Sequence, residues 1–274
     1  MRDSGGVAWL VKKSTLTPGP KIQAAEKTYA DFRISLTSPG GHSSEPTADN
    51  AIYRLARIID RVAGYQFPPQ SNEITRASLR ALGAHTPGPL GAAMTQFAAH
   101  PDDGAAAATI SADPAYVGQI RTTCVATMLN GGHALNALPQ SASVNINCRI
   151  FPGTPVDSVR DTLVKVIDDQ SASVTVLQPP PVASPASPLR QDVIAAVTDA
   201  VHQRYPGVDV VPGMSAGASD SMYFRNAGVP SYGIDAAFTK PDDTFAHGLN
   251  EKLPASEVEA GLEFWHRVLV QLAK

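Results

Sequence analysis

Apolar and polar residues alternate along Tyr29-Ala30-Asp31-Phe32-Arg33-Ile34-Ser35-Leu36, a run that predicts a strand with one face buried and the other wet. The period then changes. Between Asn50 and Val62, Ile52, Leu55, Ala56, Ile59 and Val62 recur at helical spacing among Arg54, Arg57, Asp60 and Arg61, and Asp49 or Asn50 can cap the helix. Further on, the pattern predicts strands over 122–129 and 142–151, a helix over 155–169 with Val159, Leu163, Val166 and Ile167 inward, and a strand over 173–177. The stretch 65–120 is mixed, with short helices expected over 77–82 and 90–98. With it set aside, the order strand, helix, strand, strand, helix, strand is that of a ferredoxin-like α+β unit, an antiparallel sheet with two helices on one face.

Either side of this unit the pattern differs. Residues 7–11 and 21–25 read as strands around Thr17-Pro18-Gly19-Pro20, which suggests a hairpin. The proline-rich run from Pro179 to Pro188 reads as a linker, because its prolines can neither extend a helix nor sit in a central ladder. Beyond it, helices over 192–205, 219–226 and 256–272 alternate with strands over 208–211 and 230–234, as in a parallel α/β sheet, although the segment is short for a whole domain.

Composition narrows the class. A chain of 274 residues, 43% of them hydrophobic, can bury a sizeable core and leans towards two domains. Its formal charge of −3, with scattered basic residues, argues against nucleic acid or an anionic membrane as partner. No stretch approaches the ~20 apolar residues of a membrane span, and no basic-then-apolar leader is visible, so a cytoplasmic protein is expected. Cys124 and Cys148 lack CxxC spacing and read as small core residues in a reducing compartment, with a disulfide left open.

Candidate chemistry gathers at turns. In Ser38-Pro39-Gly40-Gly41-His42-Ser43-Ser44, the proline and glycines shape a turn that presents His42, although an ordinary solvated loop gives the same pattern. His247, in the polar turn Asp242 to Glu251 before the last helix, suits metal or acid–base work. His133 lies in a glycine-rich connection between two strands, which a hairpin explains equally well. Arg149 is a charge in an otherwise apolar strand and could hold a carboxylate bidentately, or face solvent. Gly213-Met214-Ser215-Ala216-Gly217 matches a nucleophile elbow, followed in chain order by Asp235 and His247, so a serine hydrolase or esterase is an alternative.

Together these motifs resemble the zinc-dependent peptidase family of carboxypeptidase G, aminoacylase-1, succinyl-diaminopimelate desuccinylase and carnosinase. The resemblance runs through residues 25–31, Pro39-Gly40-Gly41-His42-Ser43-Ser44 with Asn50-Ala51-Ile52, Gly131-Gly132 with Asn136-Ala137-Leu138-Pro139, Cys148-Arg149, Ser219-Asp220-Ser221 with Gly228-Val229-Pro230, and His247-Gly248-Leu249-Asn250-Glu251. It implies an α/β fold in which a ferredoxin-like lid or dimerisation domain is inserted into a partial α/β catalytic domain. On that reading residues 1–28 end the first catalytic segment, 29–180 form the lid with the insertion 65–120, and 186–274 are the C-terminal catalytic segment.

The same resemblance implies roles. His42 is similar to the lid histidine that stabilises the tetrahedral oxyanion in a partner subunit's site. Asn136 and Arg149 resemble the residues that hold the substrate, Gly217 and Ser219 lie on a turn lining its pocket, and His247 resembles a zinc ligand. The substrate would be a peptide or N-acyl amino acid, cleaved at an amide near a free carboxylate, the cofactor two zinc ions, and the assembly a homodimer through the lid. The family's His-x-Asp motif, bridging aspartate and Glu-Glu pair do not occur here; Ser4 stands at a ligand position and Asp3 is the nearest substitute. An incomplete zinc site and weak or no activity are therefore expected of this chain alone. A non-catalytic dimerisation module is the remaining alternative.

Overall fold

The computed structural model describes residues 8–9, 21–239, 249 and 251–274. The elements are, in chain order, β1 (Ala8–Trp9), β2 (Lys21–Glu26), β3 (Thr28–Thr37), β4 (Gly41–His42) and α1 (Ala51–Gly64). Four helices follow, α2 (Glu73–His85), α3 (Pro89–Ala99), α4 (Gly104–Ser111) and α5 (Val117–Ile120). Then come β5 (Thr123–Gly131), β6 (Ala137–Leu138), β7 (Ser141–Ile150), α6 (Val156–Ile167) and β8 (Ser173–Val176). The remainder is α7 (Gln191–Arg204), β9 (Val211–Ser215), α8 (Ser221–Asn226), β10 (Gly233–Ile234), β11 (Phe238–Thr239) and α9 (Ser256–Leu272).

Two units divide the chain. One holds Thr28–Pro68 and Arg121–Ala183. Its sheet has the order β5-β7-β3-β8, antiparallel throughout, as a ferredoxin-like unit requires. Along β3 buried and more open positions alternate, so Ala30, Phe32, Ile34 and Leu36 join Val144, Ile146 and Ile150 in a core covered by α1 and α6. Asn50 caps α1 by accepting from the backbone N–H groups of Ile52 (3.0 Å) and Tyr53 (3.3 Å). The buried face of α1 is Ala51, Leu55, Ile58 and Val62, one position round from the expected stripe, and Ile52 is 42% exposed. The cysteines also differ from expectation: register places Cys124 opposite Cys148, and the two are joined in a disulfide. That bond removes the argument for a reducing compartment, which rested on two separate thiols.

The other unit comprises the chain through Lys27, Pro69–Ile120 and Ser184–Lys274. Its three-stranded sheet has the order β10-β2-β9, with β2 parallel to β9 and antiparallel to β10. The expected hairpin between β1 and β2 does not form, because β1 pairs in parallel with β11. The physical reason is burial: Ile22 to Glu26 are all buried, and a strand covered on both faces needs partners on both edges. The strand expected over 208–211 begins at Val211, and the sheet is mixed rather than wholly parallel. Val193, Ala196, Val197 and Val201 of α7 pack with Phe264 and Val268 of α9. The segment read as an insertion in the lid groups with this unit instead; its helices are longer than expected and share a core of Leu79, Leu82, Met94, Phe97, Ile110 and Ile120. Among the described residues no helix is long and apolar enough to cross a membrane.

Candidate active site

The turn that carries His42 depends on its glycines. Gly40 has φ +77°, and a Cβ there would come within 2.7 Å of Gln140 Cγ, so a side chain would meet both strain and a clash. The turn is fastened to the segment 136–140 by a short antiparallel ladder in which Gly41 faces Leu138 and His42 faces Ala137. Ser38 N–H donates to the Gln140 carbonyl at 3.0 Å and Ser43 N–H to the Asn136 carbonyl at 3.1 Å. Two predicted site residues, His42 and Asn136, are thereby held on facing strands although 94 positions separate them in the chain. The exposed His42 ring accepts at Nδ1 from the Ser44 backbone N–H (3.2 Å), with Ser44 Oγ 2.7 Å away. A backbone N–H can only donate, so the neutral ring carries its proton on Nε2, a nitrogen with no partner among the described residues. Such a donor can stabilise a developing oxyanion.

Arg149 lies on the face of the lid sheet away from α1 and α6, directly opposite Tyr29, and its guanidinium carbon stands 4.6 Å from the centre of the Tyr29 ring. Both line a cleft of about 450 Å³ together with Asp31, Asn145 and Asn147. Asp31 Oδ1 accepts from Asn145 Nδ2 (2.9 Å) and Asn147 Nδ2 (3.0 Å), and the Tyr29 hydroxyl also bonds Asp31. Burial alone would raise the Asp31 pKa; the bonds from Asn147, Asn145 and Tyr29, with the Arg149 charge, outweigh it and hold the carboxyl below its usual range. Tyr29 is pushed up in turn, first by its bond to Asp31 and then by burial. Sequence reading singled out Arg149 but missed Tyr29 and Asp31. Their signal was the same alternation that places both on the wet face of β3.

In the other unit, the turn after β9 carries Ser215, Gly217 and Ser219. Ser215 Oγ accepts from the Gly217 N–H at 3.0 Å, and Ser219 donates through its N–H (2.8 Å) and Oγ (2.7 Å) to Glu26 Oε2. Glu26 is anchored in turn by Arg225 Nη1 at 2.9 Å and Ser184 Oγ at 3.1 Å, and the two charged side chains are 0% and 1% exposed. Arg225 also donates to the carbonyls of Gln23 (3.1 Å) and Ser231 (2.9 Å), and burial lowers its pKa while the Glu26 charge opposes that shift. The nucleophile-elbow reading does not fit this geometry. Ser215 is the last residue of β9 and α8 begins only at Ser221, whereas an elbow places its serine on the sharp turn from strand into helix. Asp235, its proposed partner, accepts from Ala237 N–H at 2.8 Å. His247 and Asp3 lie outside the described residues, and among those described no group of three or more His, Cys, Asp or Glu side chains could hold a metal ion.

Comparison with known proteins places these features. The probable carboxypeptidase S-like 2 of Dictyostelium discoideum is 23% identical over 262 residues, covering 94% of this chain and 49% of that protein. The human N-fatty-acyl-amino acid synthase/hydrolase PM20D1 is 26% identical over 251 residues, covering 89% of this chain and 49% of the relative. An M20 family metallo-carboxypeptidase from Sulfolobus solfataricus, 14% identical, shares the fold with a TM-score of 0.60 over 96% of this chain and 61% of that one. The chain thus spans about half the length of the curated relatives it matches. None of these likenesses favours the serine-hydrolase alternative. Residues 24–175, more than half of the chain, match the model of the peptidase dimerisation domain, and the chain belongs to that M20 family.

Proposed function

We propose that this chain supplies the lid and a C-terminal catalytic segment of a metal-dependent hydrolase that cleaves an amide bond near a free carboxylate, in a peptide or an N-acyl amino acid. The observation that carries this reading is the ladder between β4 and β6, which holds His42 beside the segment of Asn136. His42 donates from Nε2 to the oxyanion, Asn136 orients the substrate, and Arg149 takes its carboxylate through two N–H groups. Zinc, when bound in such enzymes, polarises the carbonyl and lowers the pKa of bound water. The human relative's name, an N-fatty-acyl-amino acid synthase/hydrolase, supports the N-acyl amino acid as substrate class.

A homodimer through the lid belongs to the same reading. The edge strand β5 exposes Val125, Met128 and Leu129, and Ile52 and Tyr53 of α1 are exposed in the same unit, so an apolar surface flanks unpaired backbone groups. The test of function is hydrolysis of N-acetyl amino acids by the protein with zinc supplied. Chelation is expected to abolish it, and His42→Ala to lower kcat by about 10²–10³-fold with little change in KM. Hydrolysis that survives chelation, or equal cleavage of substrates lacking the carboxylate, overturns the reading.

A further inference from the structure

Arg149 is held without being used up. Its guanidinium stacks on Tyr29 and makes no hydrogen bond or ion pair among the described residues, so its fork of N–H groups is available. Yet an acidic partner is near. On this face Tyr29 pairs with Arg149 and Asp31 with Asn147, which makes Asp31 the diagonal neighbour of Arg149, within reach of so long a side chain. An Arg–carboxylate pair there would be bidentate and strong, and it would occupy the groups a substrate carboxylate needs. Two devices oppose it. The Tyr29 ring holds the guanidinium by its face, a contact that leaves the N–H edge unspent. Asp31, meanwhile, is engaged by Asn145, Asn147 and the Tyr29 hydroxyl, so its acceptor capacity is taken.

We infer that Tyr29 is a positioning residue that keeps Arg149 from collapsing onto Asp31, and so preserves an open carboxylate site in the lid. The inference rests on the reading of Arg149 as the substrate-carboxylate anchor. It assigns Asn145 and Asn147 the further task of holding Asp31 in place. The cleft of about 450 Å³ that these residues line is large enough for a small N-acyl amino acid.

The experiment is a titration of the whole chain with N-acetyl-L-alanine, followed by NMR shift changes including the Arg149 side-chain N–H signal, with N-acetyl-L-alanine amide as the carboxylate-free control. Wild type is expected to bind the acid in preference to the amide. Tyr29→Ala is expected to weaken acid binding about tenfold, and adding Asp31→Asn to that variant to restore most of it, because the competing carboxylate is gone. Tyr29→Phe keeps the ring under the guanidinium and is expected to lose much less than Tyr29→Ala. A purely structural role for Tyr29 would not be rescued by a second change that itself removes hydrogen-bonding capacity. If Arg149→Ala loses acid binding but Tyr29→Ala does not, or if Asp31→Asn gives no rescue, the inference fails alone. Undiminished acid binding by Arg149→Ala defeats the carboxylate reading and this inference with it.

Discussion

A carboxylate buried in a central strand is costly unless its oxygens are engaged, and Glu26 meets that condition through Arg225, Ser184 and Ser219. Removing one member of such a pair strands the other. Glu26→Gln is therefore expected to destabilise the protein by about 3–5 kcal/mol in urea unfolding, whereas Glu26→Leu combined with Arg225→Met should lie much closer to wild type. Equal losses in the single and double variants would show that the pair contributes through packing alone. Neither residue announced this role in the sequence. Glu26 is one polar position after Ala24-Ala25, and Arg225 sits in a short helix far along the chain, so only the fold brings the charges together. Arg149 was legible because a charge inside an apolar strand is visible locally; the tyrosine under it was not, because its partner lies on another strand.

At the level of elements, the extent of α1 was readable and its orientation was not. Ile52-Leu55-Ala56-Ile59-Val62 and Ala51-Leu55-Ile58-Val62 both have helical spacing, and the sheet beneath decides between them. Ile58→Ala is accordingly expected to cost about 2–5 kcal/mol in chemical denaturation and Ile52→Ala about 0.5 kcal/mol or less in the unassociated chain; the reverse order would mean that the helix is rotated. The same limit explains β2. Its partners β9 and β10 come almost at the other end of the chain, so proximity in sequence suggested a hairpin with β1 that burial on both faces excludes. The cysteine pair likewise depends on the register of β5 against β7, which spacing alone does not reveal. Alternation did carry the whole ferredoxin-like order, because each of those strands has one wet and one dry face.

For the molecule as a whole, the exposed edge of β5 is the feature that most needs a partner. Met128 and Leu129 are 66% and 64% exposed beside unpaired backbone groups. Replacing both by Glu is expected to turn a dimer into a monomer on light scattering with little loss of stability; an unchanged dimer would place the interface elsewhere. The motifs legible at this scale were those where backbone geometry itself demands certain residues, above all Gly40-Gly41 before His42. The ladder between β4 and β6 carries one more consequence. Because it runs through main-chain bonds, the loops of His42 and Asn136 are mechanically one part, and a displacement of either carries the other with it. On the proposed reading, seating the substrate and aiming the oxyanion donor are then a single event, with no side-chain relay needed to link them.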